Sequence, residues 1–284
     1  MTTKFAELKR RVRDAPFLNS DELEEILREF APHFTGSKAL EYLNNEWMFH
    51  KIGNKKIGID TVIINVNSVL NCYCGKTGLC DEFGRCYAQA VGNLRLKSDL
   101  TGIESAIMFD RLTVDEIIEQ VEETILNAKD EDIHFIRWNE LGEFDCVETF
   151  MKANEVAKYF FEKYGIISYS YTHNSEIPPE LLIDSYIVMT FSYPIDMDGV
   201  KKAIVVDGEE ILDYVDDENY IICTGSCYHC PYCKDKEDTR TVVFINHFSK
   251  NMEKELKKYL GVDLFNRLVA IKFIDYGNYL LGMI

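Results

Sequence analysis

Cysteines are the residues of this sequence whose type and spacing most clearly indicate chemistry. Eight of the nine form two groups: Cys72, Cys74, Cys80 and Cys86 in the first, and Cys223, Cys227, Cys230 and Cys233 in the second. No stretch approaches the ~18 apolar residues of a membrane span, and the first residues lack the apolar core of a signal peptide. We therefore expect a cytoplasmic protein, in which thiols stay reduced and clustered cysteines are metal ligands rather than disulfides.

The second group has the spacing C-x3-C-x2-C-x2-C, so its four thiols stand on one short loop. Structural zinc sites more often use two separate pairs of ligands, whereas iron–sulfur clusters are often bound by tight runs of cysteines. The spacing therefore favours a 4Fe–4S cluster, with zinc as the alternative. Because none of the four thiols is spare, we expect this site to be closed and mainly to stabilise the fold.

The first group leaves its ligand set open. Cys72 and Cys74 are two residues apart, and one of them need not bind, which leaves Cys74, Cys80 and Cys86 as a three-thiolate set. Three thiolates on a 4Fe–4S cluster leave one iron open to a substrate or a cofactor. If all four cysteines bind, the site is closed and serves structure or electron transfer instead.

The segments that must position these cysteines alternate between helix and strand patterns. Helices are predicted from the capping boxes Asn19 to Glu22 and Thr113 to Glu116, and a further helix is predicted over 87–100. Strands are predicted at 61–66, 133–139, 166–172, 186–191 and 203–206. Such alternation is typical of a parallel sheet.

We therefore predict an α/β fold in three parts. Residues 1–55 form an N-terminal helical flank, residues 56–206 a partial (β/α) barrel that carries the first cysteine group, and residues 207–284 a C-terminal cysteine-cluster region. The first strand ends just before the first cysteine group. Because ligands bind at the carboxyl ends of parallel strands, this position favours a functional role for that group.

Polar residues at the ends of the next two strands are candidate site residues. They are Arg137 and Asn139, two residues apart on one strand, Gly142 and Glu143 in the turn that follows, and Thr172 at the end of the next strand. We expect their side chains to line one mouth with the first cysteine group, where Glu143 and Arg137 are the candidate catalytic groups. Structural roles are the alternative, since acidic residues before a helix also cap it.

Two known families are similar to this arrangement. A cysteine loop after the first strand, followed by a second strand that ends in a Gly-Glu turn, resembles the radical S-adenosylmethionine enzymes. The resemblance implies that Cys74, Cys80 and Cys86 bind the cluster and that Gly142 and Glu143 lie beside S-adenosylmethionine. The usual C-x3-C-x2-C spacing of that family is absent from the first loop and occurs instead in the second cysteine group.

The order of several short motifs resembles a phage and archaeal iron–sulfur family called gene product eighty-eight. The motifs are Cys86-Tyr87-Ala88, Arg137 through Gly142-Glu143-Phe144, Tyr169-Ser170-Tyr171-Thr172 and the cysteines from Cys227 to Cys233. The resemblance covers roughly residues 50–235, although no proline follows Cys72 or Cys74. It implies an iron–sulfur protein but no particular reaction.

The net charge of −17 disfavours nucleic acid as a partner, because it repels phosphate backbones. A local basic groove at Arg10, Arg11 and Arg13 is the one feature that favours RNA. The main hypothesis is a redox or radical enzyme with two 4Fe–4S clusters, S-adenosylmethionine as a candidate ligand, and a small-molecule substrate and an electron donor as partners. The alternatives are a metal-stapled binding module without activity, with zinc or iron–sulfur, and a sulfur-transfer or RNA-modifying enzyme.

Overall fold

The computed structural model describes residues 3–34, 38–54, 56–77, 96–128, 132–193, 195, 197–246 and 251–283. Its helices are α1 (Thr3–Asp14), α2 (Ser20–Phe30), α3 (Glu41–Asn44), α4 (Tyr73–Thr77), α5 (Leu96–Arg111), α6 (Val114–Asn127), α7 (Val147–Tyr164), α8 (Pro179–Ile183), α9 (Met252–Leu260) and α10 (Val262–Met283), with 3-10 turns at Ala31–His33 and Gly208–Tyr214. Its strands are β1 (His50–Ile52), β2 (Thr61–Ile64), β3 (Phe135–Trp138), β4 (Ile167–Thr172), β5 (Ile187–Phe191), β6 (Ala203–Val206), β7 (Tyr220–Ile222) and β8 (Thr241–Ile245).

The strands of the described residues form two sheets. The first has the order β1-β2-β3-β4-β5, in which β1 pairs antiparallel with β2 and the remaining pairs are parallel. The second has the order β6-β8-β7 and is parallel. The predicted mixed α/β class with a parallel-rich sheet is thus confirmed, and no closed barrel is present in the described part of the chain.

Strand β6 is in a different place from the one that the sequence predicts. Residues 203–206 were expected to be the fifth strand of the barrel, but β6 pairs with β8 in the second sheet. A single bridge between Phe191 and Lys202 connects its start to the end of β5. Strand β1, which sequence patterns miss because it is short and begins with His50 and Lys51, occupies the outer edge of the first sheet instead.

Local signals for helices are confirmed where they concern described residues. Asn19 and Glu22 form a complete capping box at α2, as Thr113 and Glu116 do at α6. Gly165 ends α7 with φ +68°, a left-handed conformation that favours glycine. Helix α5 begins at Leu96 and continues to Arg111, beyond the predicted end at 100, and residues 87–95 of the predicted helix lie outside the described residues.

The two faces of the first sheet have different neighbours. One face carries Ile136 and Trp138 into a large core that includes buried residues of α2, α5, α6 and α7. The opposite face carries Phe135, Tyr169 and Val188, which pack with Tyr276 of α10 and with Cys233. Burial of each large side chain contributes roughly 1.5–3 kcal/mol. The second cysteine group therefore lies against the face of the sheet that is opposite to the main helical core.

Candidate metal centre

Backbone hydrogen bonds position the loop from Cys223 to Cys233. The backbone N–H of Cys223 donates to the carbonyl of Val243 on β8 over 2.8 Å, and that of Cys227 donates to the carbonyl of Lys56 over 2.6 Å. Gly225 has φ +81°, and an added Cβ would lie 2.7 Å from Sδ of Met252. The loop is therefore held on one side by the second sheet and on the other by the segment that precedes β2.

The four thiols of this loop interact electrostatically. Burial, together with the nearby thiols of Cys230, Cys227 and Cys223, raises the pKa of Cys233 to about 12. Burial is also the main cause of the raised pKa of Cys223. In the described part of the chain, no three His, Cys, Asp or Glu side chains are arranged to hold a single metal ion.

Four cationic side chains of the described residues lie near these thiols. They are Lys201, Lys234, Lys272 and Arg137, of which the three lysines are at most 5% exposed. Cys233 acts electrostatically on Lys201, Cys227 acts on Arg137, and all four thiols act on Lys272. Burial of cations is unfavourable without nearby negative charge, which here comes from Asp238 beside Lys201, from Asp60 beside Lys234 and from the thiols.

Each buried lysine is fixed by a specific contact. Nζ of Lys234 donates to the carbonyl of Cys227 over 3.2 Å and lies 3.8 Å from the ring centre of Phe135. Nζ of Lys272 donates to Oγ1 of Thr224 over 3.2 Å, and that of Lys201 donates to the carbonyl of Tyr232. Burial lowers the pKa of Lys272, but the four thiols together raise it above its ordinary value.

Three carboxylates, those of Asp60, Asp238 and Asp275, also lie near the second cysteine group, and each is hydrogen-bonded or paired to a tyrosine or an arginine. Asp60 accepts a hydrogen bond of 2.5 Å from the hydroxyl of Tyr276, and Asp275 accepts one of 2.6 Å from that of Tyr232. Asp238 pairs with Arg240 over 2.8 Å. None of these contacts involves Lys272, whose Nζ donates to the hydroxyl of Thr224.

The donor set fits a thiolate-bound metal centre. Thiolates select zinc or iron–sulfur clusters, and four of them around such a centre leave a net negative charge. The buried cations and the hydroxyl of Tyr171, which donates to Sγ of Cys233 over 2.8 Å, balance that charge. The residue types suit a 4Fe–4S cluster and also zinc, although the described side chains are not arranged to hold a single metal ion.

The first cysteine group lies only partly among the described residues. Cys72 is buried, and its thiol donates to the carbonyl of Val69 over 3.3 Å. Cys74 belongs to α4, whereas Cys80 and Cys86 lie outside the described residues. Nζ of Lys76 on α4 donates to the carbonyl of Ala15 over 2.7 Å. The N-terminal flank therefore anchors the start of the first cysteine loop.

The turn after β3 is locked onto the segment that leads into this first group. Asn139 has φ +55°, and its Oδ1 accepts from the backbone N–H of Val66 over 3.1 Å. Gly142 has φ +90°, and an added Cβ would lie 2.8 Å from the carbonyl oxygen of Asn67. Close approach of the two backbones therefore requires glycine at 142. The structure thus brings Asn139 and Gly142 against Val66 and Asn67, in the segment that leads from β2 to Cys72.

Glu143 links this turn to the end of β4. The carboxylate is 2% exposed and accepts backbone N–H groups from Phe144 over 3.1 Å and from His173 over 2.7 Å. Thr172 is buried, and its Oγ1 accepts from the backbone N–H of Asn174 over 3.0 Å. Asn174 itself, which the sequence did not single out, donates to the carbonyl of Phe144 over 2.9 Å. These contacts hold the carboxyl ends of β3 and β4 together.

Arg137 is separated from the other candidate site residues. It pairs in register with Tyr169, whereas Thr172 is an odd number of residues further along β4 and therefore faces the other way. Its Cζ lies 5.8 Å from the ring centre of Tyr171, on the side of the second cysteine group. The prediction that Arg137 and Thr172 line one mouth is therefore wrong. Thr172 was the candidate site residue of β4, whereas Tyr169 and Tyr171, on the other face of that strand, lie towards the second cysteine group.

Comparisons of the chain with family models, with curated proteins and with solved structures found no match in any of the three. Among the described residues, no helix is both long enough and apolar enough to cross a membrane.

Proposed function

We propose that this chain is an iron–sulfur protein in which Cys223, Cys227, Cys230 and Cys233 bind a 4Fe–4S cluster. The observation that carries the proposal is the set of cations around these thiols: in a chain of net charge −17, three buried lysines and Arg137 converge on one loop. Zinc is the alternative metal, because a closed set of four thiols suits it as well. Bound there, a 4Fe–4S cluster takes up and releases one electron.

Protein residues keep water away from this centre and hold its ligands. Cys230 and Tyr232 are buried with Ile221 in one apolar cluster, and Cys233 packs against Tyr169 and Val188. Apolar surroundings limit the access of solvent, and the donors and cations offset the negative charge. A redox role suits this combination, since both factors set the potential at which an electron is accepted.

The finer proposal is that the first cysteine group makes the protein a radical S-adenosylmethionine-like enzyme with a partial (β/α) barrel. Its support is that the segment leading from the carboxyl end of β2 towards α4 contacts the turn of Gly142 and Glu143, through Asn65 and Asn67. The carboxylate of Glu143 would accept from the amino group of the bound methionyl moiety. The small-molecule substrate and electron donor remain expectations of this proposal.

Metal and sulfide analysis of anaerobically purified protein tests the main proposal. Iron and acid-labile sulfide in equal amounts, visible absorbance and an electron paramagnetic resonance signal after reduction are expected, and two cubanes would give about eight irons per chain. Cys233→Ala is expected to lower the iron content by about half. Cys146→Ala is the matched control, because Cys146 is exposed and lies outside both groups. Two zinc ions per chain and no sulfide would refute an iron–sulfur protein and support the zinc-stapled module.

The enzyme proposal has a separate test. S-adenosylmethionine is expected to change the spectrum of the reduced first cluster, and Glu143→Ala is expected to weaken that change while the iron content stays the same. Asp145→Ala is a useful comparison, because Asp145 lies close by in sequence but its Oδ1 has no hydrogen-bond partner among the described residues. An unchanged spectrum in the wild-type protein would contradict the enzyme proposal and leave the iron–sulfur proposal standing.

A further inference from the structure

Three buried polar atoms on adjacent strands of the first sheet have no hydrogen-bond partner among the described residues. They are Nε of Arg137 on β3, the hydroxyl of Tyr169 on β4 and Oγ1 of Thr190 on β5. Tyr169 is 1% exposed and Thr190 is fully buried. Each unpartnered buried group costs roughly 1–3 kcal/mol, and native proteins contain few of them. Three together indicate that a hydrogen-bonding group belongs in front of these strands.

The strand register places all three atoms on one face. Arg137 is opposite Tyr169, and Thr190 is opposite Tyr171, whose hydroxyl already donates to Sγ of Cys233. Side chains two residues apart on a strand, such as Tyr169 and Tyr171, point to the same side. This is the side on which Cys233 packs against Tyr169. The three atoms therefore face the loop of the second cysteine group.

The hydrogen-bonding capacity of the three atoms indicates which kind of group they bind. Nε of a guanidinium can only donate, and the two hydroxyls can also donate, so one acceptor-rich group satisfies all three. Lys234 and Lys272 are buried on the same side, next to Cys227 and Thr224. Asp60 and the thiols already act on these buried cations, and an acceptor that also carries negative charge stabilises them further, which neutral water does not.

We propose that Arg137, Tyr169 and Thr190 donate hydrogen bonds to the inorganic sulfides of the cluster held by the second cysteine group and thereby raise its reduction potential. This inference rests on the proposed function and assigns the three residues to the C-terminal cluster rather than to a substrate. Reduction adds one electron and hence one negative charge to the cluster. Hydrogen-bond donors and cations stabilise the reduced form more than the oxidised form, so their removal lowers the potential.

Substitutions of single side chains test the inference. Tyr169→Phe and Tyr171→Phe each remove one hydroxyl without changing the shape of the side chain, and Arg137→Gln removes the charge and the Nε donor. Ser168→Ala is the matched control, because Oγ of Ser168 is also buried and without a partner among the described residues but faces the helical side of β4. Each protein is purified anaerobically, its iron and sulfide are counted, and the reduced cluster is followed by electron paramagnetic resonance during a titration with dithionite.

At a fixed ambient potential, each hydroxyl deletion is expected to lower the ratio of reduced to oxidised C-terminal cluster roughly two- to tenfold, the effect of one hydrogen bond. A tenfold change is 59 mV for one electron. Ser168→Ala is expected to leave the ratio unchanged. Unchanged ratios in Tyr169→Phe and Arg137→Gln, with full iron content, would overturn the inference while the proposed function stands. A wild-type protein without iron would overturn both, and the initial iron count distinguishes these results.

Discussion

The hydroxyl of Tyr171 donates a hydrogen bond to Sγ of Cys233 over 2.8 Å, although the two residues are 62 positions apart in the chain. Tyr171 also packs against Phe244 of β8, with ring centres 6.0 Å apart. One side chain thus joins the first sheet, the second sheet and the second cysteine group. Loss of a metal from that group is therefore expected to loosen the contact between the two sheets as well as the loop itself.

Metal removal should destabilise the whole fold. We expect Cys230→Ala, or treatment with a strong chelator, to lower the free energy of unfolding by at least about 3 kcal/mol, because metal binding to a folded site adds directly to stability. For a chain of this size that is on the order of 6–12 °C in Tm. Thermal melts followed by circular dichroism measure the change. Cys146→Ala, at an exposed cysteine, should melt like the wild type, and an unaltered Cys230→Ala melt would contradict the prediction.

Substitution of Gly142 should disturb the edge near the first cysteine group. Gly142→Ala adds a Cβ that would lie 2.8 Å from the carbonyl oxygen of Asn67, at φ +90°. Gly165→Ala is the matched control, because Gly165 also has positive φ but an added Cβ meets nothing within 4 Å. The control should lose about 1 kcal/mol, and Gly142→Ala at least about 1 kcal/mol more. Urea unfolding gives both values, and equal losses would show that the close approach is unimportant.

Glu104 should make stability depend on pH near neutrality. It is 2% exposed, and burial raises its pKa to about 7, although backbone N–H groups of Tyr42, Leu40 and Leu43 oppose the rise. Because the folded state holds this proton more tightly than the unfolded state, its contribution is greatest below pH 4.5 and is lost as the pH rises through about 7. The loss should be up to about 3 kcal/mol.

Glu104→Gln should remove that part of the pH dependence, because the amide does not ionise but keeps an acceptor for the start of α3. Urea unfolding at several values between pH 5 and 8 measures the slope for both proteins. Glu116→Gln at the exposed start of α6 serves as a control for a change of one charge. Parallel curves for wild type and Glu104→Gln would exclude Glu104 as the source.

Removing one partner of the buried ion pair between Lys9 and Asp99 should lower the free energy of unfolding more than removing both. Nζ of Lys9 lies 2.7 Å from Oδ2 of Asp99, and both side chains are at most 6% exposed. Lys9→Met leaves a buried carboxylate unpaired and should lower stability by about 3–5 kcal/mol. The double variant Lys9→Met with Asp99→Leu should recover most of the loss, since it removes both charges. A double variant as unstable as the single one would indicate that packing, rather than charge, dominates at this position.

Local sequence signals determined the features of this protein that depend on neighbours in the chain. The capping boxes at Asn19 and Thr113 and the glycine at 165 satisfy helix ends within a few residues, so they can be recognised without tertiary contacts. The same holds for the grouping of cysteines on one loop. The order of strands and helices could be predicted from the period of the apolar residues. That order also places Asn139 and Gly142 just after β3, at the carboxyl edge of the first sheet.

Tertiary structure alone decided which elements share a sheet and which face meets the metal centre. The pattern of residues 203–206 specifies a strand but not its partner, and β6 pairs with β8 rather than extending the first sheet. Likewise, alternation along β4 identifies two faces without stating which one is functional, so Arg137 was assigned to the wrong neighbours. Lys201 and Lys272 reach the loop of the second cysteine group from distant segments whose local sequence does not mark them as its neighbours. Such convergence depends on long-range packing, which no local period encodes.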